Sequence, residues 1–454
     1  MGETQTNTRS PELLQRGNGT GVVHISATPK NDRVNIAAAF NAVRCNTMAL
    51  AEPLSPEDWL LQSMEEASPI KWHLAHTSWF FETFILLKHD RDYREFHPQF
   101  SYLFNSYYHL VGSMHRRARR GLLSRPTAQE VRAYRGHVDQ AINRLIEKAD
   151  DGTLQTILPL IEVGCVHEEQ HQELMQTDIL HAFYQNSLLP AAYEAVSEPD
   201  APDETDQAFC EPLQWVGYEG GLIEVGADGE GFAFDNEFPR HKYYLNPFEI
   251  MNRPVTNRDY LHFIEDGGYT DSQHWLSDGW AQIQADGWET PLYWRRGDDQ
   301  IWYQFTLFGE RPLPLDGPVR HISFYEAAAY ASWAGVWLPT EREWEHAAAH
   351  LPVDGHFLEE GRPRVAASLP AGASSHPQAM FGTVWEWTQS SYTPYPGYRP
   401  APGAIGEYNG KFMSNQMVLR GGSAATPIGH IRATYRNFFP PDARWQFSGL
   451  RLVR

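Results

Sequence analysis

The sequence predicts a two-domain α+β chain, a helical bundle followed by a mixed, loop-rich domain. Three observations predict it. From residue 31 to about 196, apolar residues recur at helical spacing in four long stretches. An acidic, proline-containing segment, SEPDAPDETDQ, then breaks the pattern and reads as a linker over 197–210. Beyond it glycine, proline and tryptophan become frequent and apolar runs shorten to strand length. A length of 454 residues also favours more than one core.

The elements follow in order. Residues 1–30 are polar, without the apolar core of a signal peptide, and are expected to form a disordered tail. NIAAAFNAVRCNTMAL carries helical spacing. SPIKWHLAHTSWFFETFILLKH opens with Ser68 and Pro69, a capping residue followed by one suited to a first turn. TAQEVRAYRGHVDQAINRLIEKA opens with Thr127 and Glu130, a capping-box pair. LQTILPLIEVGCVHEEQHQELMQTDILHAFY is apolar along one side, and Pro159 predicts that its helix starts after that residue. Four such helices predict an antiparallel bundle. In the second half, strands are predicted at GGLIEVG, HKYYLNPFEIM, MVLRGGS and GLRLVR, and helices at TNRDYLHFIEDGG and SFYEAAAYASWAG.

Composition excludes several function classes. A net charge of −20 argues against nucleic acid as a partner, because phosphate binding needs a positive surface. No apolar run approaches the ~18 residues of a membrane span. The three cysteines, Cys45, Cys165 and Cys210, are too few and too unpatterned for a disulfide scaffold. They point to a reducing compartment, the cytoplasm.

HEEQHQE, at His167–Glu173, lies inside the last predicted helix. It contains H-E-x-x-H, the zinc-protease pattern with Glu168 as base. It also contains H-x3-H-x-E, ending on Glu173. Helix positions i and i+4 share a face about 6 Å apart, so His167 and His171 can aim at one ion. A third ligand is needed. His181 is further along the same helix and points elsewhere, whereas KWHLAHTSWFFE supplies His73 and His76 on a second apolar helix. Bundle cores bring such helices face to face. Core histidines satisfied by backbone carbonyls would suit a lone histidine better than this constellation. Three imidazoles with open coordination positions leave iron(II), zinc and copper open.

SPIKWHLAHTSWFFE, FNSYYHLVG, RRGLLSRPT and HEEQHQELMQTDIL together resemble the iron-dependent sulfoxide synthases of ergothioneine biosynthesis (EgtB type). FAFDNEFPRH, RPVTNRDYLHFIEDGGY, PVRHISFYEAAAYASWAGVWLPTEREWEHAA, GTVWEWT, VLRGGS and GLRLVR resemble the formylglycine-generating, sulfatase-modifying domain, a C-type-lectin-like fold. The resemblance covers residues 31–454, and its specificity lies in the combination. It implies a DinB-like four-helix bundle carrying iron ligands over 31–196 and a sulfatase-modifying-factor-like domain over 211–454. Formylglycine generation uses cysteines in that domain, and no cysteine follows Cys210. The second domain is therefore expected to wall an active site rather than to run that reaction.

The same resemblance implies iron(II) ligands at His76, His167 and His171. His76 is preferred to His73 because it matches the family's L-A-H histidine. Glu173 is expected to orient an imidazole. The implied reaction joins a thiol sulfur to carbon 2 of the imidazole of hercynine, a trimethylated histidine, with O2 as co-substrate and a sulfoxide as product. Such chemistry needs a proton donor near the metal, and the resemblance points to Tyr107 and Tyr108 rather than Tyr392 and Tyr395. A trimethylammonium group wants aromatic faces. Asn437, Phe438 and Phe439 match the segment lining that pocket, and Gln170 matches a residue that reaches the same substrate. Arg117 and Arg120 match the family's arginine pair, which suits a substrate carboxylate. The branch using γ-glutamylcysteine carries an aspartate where this chain has Phe439, which implies free cysteine as the sulfur donor. The alternatives are γ-glutamylcysteine or a selenium donor on the same scaffold, or a DinB-like metal- or thiol-binding protein without oxygenase activity.

Overall fold

The computed structural model describes residues 32–194, 213–359, 376–400, 406 and 409–454. The expected tail at 1–30 and the linker at 197–210 lie outside the described residues.

Among the described residues four long helices build the N-terminal unit: α1 (Asp32–Ala51), α2 (Ile70–Phe81), α3 (Ala128–Lys148) and α4 (Asp151–Tyr184). They share one core, with α2 packed on α3 and α4, and α1 packed on α4. Every residue of α2 is buried, so it shows no polar face and runs on through a π turn at Glu82–Leu86. The capping box of Thr127 and Glu130 starts α3 as predicted.

Two expectations are corrected. Ser68 does not cap α2, whose first flanking residue is Pro69 without a side-chain cap. Ser68 instead gives its amide to Asp178 Oδ2 at 2.7 Å, and its hydroxyl accepts from Arg120 at 2.8 Å. Pro159 does not start α4. The Asp150 carboxylate caps the helix at Thr153 N, and Pro159 sits inside it. Pro159 is exposed, so water can satisfy the carbonyl its ring leaves unbonded, while Leu154, Ile157 and Ile161 keep the buried face continuous.

Gly164 sets the spacing of α2 and α4. A Cβ there would stand 2.5 Å from the Phe81 ring. The two helices thus meet closely just before the turn that carries His167.

The second unit is a set of small sheets with four helices around them. Strands β1 (Trp215–Tyr218) and β4 (Phe248–Met251) pair, as do β2 (Gly221–Val225) and β3 (His241–Leu245). Strands β5 (Trp294–Arg296), β6 (Trp302–Thr306) and β7 (Gly309–Pro312) form an antiparallel sheet. The central sheet has the order β10–β9–β8–β11, from Asn437–Phe439, Met417–Arg420, Trp385–Ser391 and Ser448–Gly449, with β11 parallel to β8. Helices α5 (Asn257–Glu265), α6 (Ser277–Asp286), α7 (Phe324–Trp333) and α8 (Glu341–Ala348) complete it. GLRLVR forms only the short β11 and isolated bridges from Val453 to Ile250 and Trp337. WEWT, read as a motif and not as a strand, forms β8. Its first four residues are all buried, so period-two alternation never shows in the sequence.

Candidate active site

His76 on α2 and His167 and His171 on α4 converge. One ligand atom from each lies within 4.8 Å of the others, and all three rings are buried. The tautomers of His76 and His171 are fixed by neighbours. His76 Nδ1 donates to the Phe104 carbonyl at 2.6 Å, which leaves Nε2 as a lone-pair donor. His171 Nδ1 lies 2.7 Å from His73 Nδ1, and His73 Nε2 lies 3.0 Å from Asp178 Oδ2. With a carboxylate at Asp178 and neutral rings, one proton assignment satisfies this chain. His171 donates to His73, and His73 donates to Asp178. His171 Nε2, 3.1 Å from His167 Nε2, then carries a lone pair.

Burial, with the neighbouring imidazoles, holds His76 and His171 well below the ordinary histidine range, and burial lowers His167 to about 4. The rings are therefore neutral at pH 7. His76 is also clamped between Trp72 and Trp79, at centroid distances of 4.5 and 5.4 Å. Three neutral, buried, oriented nitrogens fit a divalent transition metal with coordination positions left open. His73, the other histidine of KWHLAH, serves as the link between His171 and Asp178.

Glu168 and Glu173, the glutamates that the two patterns single out, face away from a base's role. Glu168 is fully buried inside the bundle, bound by Arg44 at 2.7 Å, Thr47 at 2.6 Å and Arg135. Those arginines outweigh its burial and hold it low, at about 2. A carboxylate so committed is no protease base. Glu173 does not orient an imidazole as expected. It accepts from Trp385 Nε1 at 2.8 Å, Ser423 at 2.7 Å and Thr426 at 2.8 Å, all in the second unit. Burial raises its pKa. Its side chain points across the seam between the units, away from the bundle.

The three histidines stand at the wall of a cavity of about 340 Å3 lined from both units. All the sequence-predicted site residues line it: Tyr107, Tyr108, Arg117, Arg120, Gln170, Asn437, Phe438 and Phe439 beside the histidines. Arg120 is buried, stacks 3.4 Å over the Trp72 ring, and donates to Ser68 and to Ser106. Among the described residues no carboxylate pairs with it, its Nε has no partner, and burial lowers it to about 9. Arg117 differs. It is exposed and already engaged by the Tyr107 hydroxyl and the Glu66 carbonyl. Tyr107 adopts a left-handed backbone, φ 62°, and its ring meets Phe412 edge-on. The Tyr108 ring packs on Trp79 and Phe84. Tyr392 and Tyr395 are buried behind the wall, bonded by Asn236 and Arg420. Phe438 stacks on Tyr392 at 4.1 Å, and Phe439 meets Trp445 edge-on.

Sequence reasoning missed Asp178, Trp385 and Tyr435. Asp178 had a signal, since it follows His171 by two helical turns on α4. Tyr435 had none. It accepts from Gln170 Nε2 at 2.6 Å across the seam.

Two family models match the chain. The sulfatase-modifying factor enzyme 1-like domain matches residues 203–362 and 376–454, and the DinB superfamily matches residues 39–175. The chain is 33% identical to the hercynine oxygenase of Mycobacterium tuberculosis over 409 residues, 85% of this chain and 91% of that protein. It is 32% identical to the hercynine oxygenase of Mycolicibacterium smegmatis over 423 residues, with the same coverage. It is 30% identical over 237 residues to ergothioneine biosynthesis protein 1 of Schizosaccharomyces pombe, covering 49% of this chain and 28% of that protein.

Proposed function

The chain belongs to the hercynine oxygenase family, and from that premise we propose that it couples hercynine to cysteine in an iron(II)- and O2-dependent reaction that forms a sulfoxide. The single observation that carries this reading is the face of three neutral histidines opening onto a cavity with an unpaired buried arginine on one side and aromatic faces on the other. Iron(II) at His76, His167 and His171 would supply O2 reduction and a seat for the thiol sulfur.

The chain's own residues do the rest. Arg120 is the carboxylate seat for the amino-acid thiol: it is desolvated, aimed by two serines, and has no carboxylate partner among the described residues. Arg117 holds the Tyr107 hydroxyl and so orients it toward the cavity. Tyr107 and Tyr108 are the proton-donor candidates, because the rival tyrosines Tyr392 and Tyr395 do not line the cavity. Phe438 and Phe439 offer faces to a trimethylammonium group, with Gln170 and Asn437 for the imidazole. Phe439 brings no charge to the wall, which supports cysteine over a donor whose ammonium sits at the end of a glutamyl arm. The bundle over 31–196 thus carries the metal, and the domain over 211–454 closes the cavity.

No helix among the described residues is long and apolar enough to cross a membrane. The few, unpatterned cysteines are the ground on which we place the protein in the cytoplasm. Oxygen uptake by iron(II)-loaded protein with hercynine and either cysteine or γ-glutamylcysteine tests the reading. A cysteine–hercynine sulfoxide by mass spectrometry is the expected product. Turnover with γ-glutamylcysteine alone would overturn the donor assignment, and no turnover with either would overturn the reaction.

A further inference from the structure

A second hydrogen-bonded chain reaches the cavity from the second unit. The Tyr435 hydroxyl lies 3.1 Å from His430 Nε2, and His430 Nδ1 lies 2.9 Å from Glu169 Oε2. Tyr435 and His430 are buried, and Tyr435 lines the cavity. The Glu169 side chain is 20% exposed, so the chain ends at solvent. With a neutral His430 ring and a Glu169 carboxylate, Tyr435 O–H donates to His430 Nε2, and His430 Nδ1–H donates to Glu169. Hydroxyl, imidazole and carboxylate then stand in the order that lets an imidazole take a proton from a hydroxyl and a carboxylate steady the resulting cation. The Tyr435 oxygen also accepts from Gln170, which would stabilise charge on it. Burial pushes the Tyr435 phenol up, so it rests protonated.

We propose that Tyr435, backed by His430 and Glu169, receives the proton released from the hercynine imidazole when its carbon 2 bonds to sulfur. The inference rests on the functional reading above. The reaction takes R–SH, the C2–H group and O2 to R–S(O)–C2 and water. Both released hydrogens equal the two in that water, so the proton from C2 needs only a temporary seat. As the C2–H bond breaks, its electron pair stays with the ring and its proton passes to the Tyr435 oxygen. The Tyr435 proton moves to His430 Nε2 in the same event, and the imidazolium faces the Glu169 carboxylate. Reversal returns the proton to the cavity.

Tyr435→Phe removes one oxygen from a buried ring and keeps its packing. With C2-deuterated hercynine, the variant should turn over more than 10-fold slower, with a larger isotope effect than the parent and unchanged hercynine affinity. His430→Gln should follow in the same direction. An unchanged rate and isotope effect would overturn the proposal. So would a slower rate with weakened hercynine binding and no rise in isotope effect, since Tyr435 would then only hold Gln170. A second measurement needs no turnover: exchange of the C2 proton of bound hercynine in D2O, followed by NMR on anaerobic zinc-loaded protein. It should be faster with the parent than with Tyr435→Phe, and equal rates would overturn the relay. A parent that exchanges this proton but forms no product with any thiol would fail the functional reading while the relay stood.

Discussion

The two walls of the cavity are made from opposite kinds of structure. The bundle wall presents nitrogen ligands from two long helices, and a fixed partner sets the direction of His76 and His171. The second wall presents indole, phenyl and amide groups from short strands and turns, Trp385 on β8 and Asn437 to Phe439 on β10. One wall holds by direction, the other by faces. The contrast repeats along α4. Glu168 turns into the bundle, where two guanidinium groups hold its charge. Glu173 turns to the seam, where it meets only hydroxyls and an indole N–H, and burial raises it. The charge of Glu168 is paired inside the bundle, while Glu173 joins the seam by hydrogen bonds as a group that ionises reluctantly.

The sharpest way to break the contrast is to remove a directed ligand. His171→Ala should bring bound metal below one equivalent and abolish turnover, read by metal analysis and oxygen uptake. Phe438→Ala, on the other wall, should keep the metal and lose hercynine affinity.

Next in size is Glu168→Ala. It leaves Arg135 buried without its carboxylate and Arg44 with Asp139 alone, which costs about 3–5 kcal/mol, measured by denaturant unfolding. The pH dependence has a definite sign. The folded value, about 2, lies below the ordinary 4.5. The stabilisation is therefore complete above about pH 4.5 and is lost as pH falls toward 2. The variant should lack that slope.

Asp178→Asn should be milder. It disturbs the chain that aims His171 without removing a ligand. Metal affinity should weaken about 10–100-fold, read by competition with a chelator, with the fold intact. Arg120→Met should raise the thiol KM by about 10–100-fold, as a charge-assisted hydrogen bond of ~1.5–3 kcal/mol predicts, and leave the hercynine KM alone. Arg117→Met, already committed to Tyr107, should act on kcat instead.

The same contrast decides what was legible in the sequence. The bundle wall was legible because helices write their geometry locally. Four-residue spacing put His167 and His171 on one face, and Thr127 with Glu130 announced α3. Pro159 misled because a proline on an exposed helix face costs little, and the sequence does not say which face is exposed. The seam was opaque for a different reason. Glu173 meets Trp385 at a separation of 212 residues, and Gln170 meets Tyr435 at 265. No local pattern encodes such a meeting. The family resemblance carried Asn437, Phe438 and Phe439 to the cavity, where periodicity alone would have left them as strand residues. Strand β8, buried throughout its first four residues, lacked the alternation that marks a half-buried strand.

Glu173→Gln is the smallest effect and the closest test of the contrast with Glu168. The amide keeps the length and one acceptor oxygen. The Ser423 and Thr426 hydroxyls can turn to accept from its N–H groups, so stability at neutral pH should change by no more than about 1 kcal/mol. The sign of the pH dependence should be opposite to that of Glu168. A folded value above the ordinary 4.5 means that ionisation weakens the fold, so the parent loses stability as pH rises through 4.5 toward the folded value. The variant should be flat there. Unfolding curves at several pH values, compared between Glu168→Ala and Glu173→Gln, should therefore show two missing slopes of opposite sign. Equal slopes would mean that the seam, like the bundle, pairs its charge.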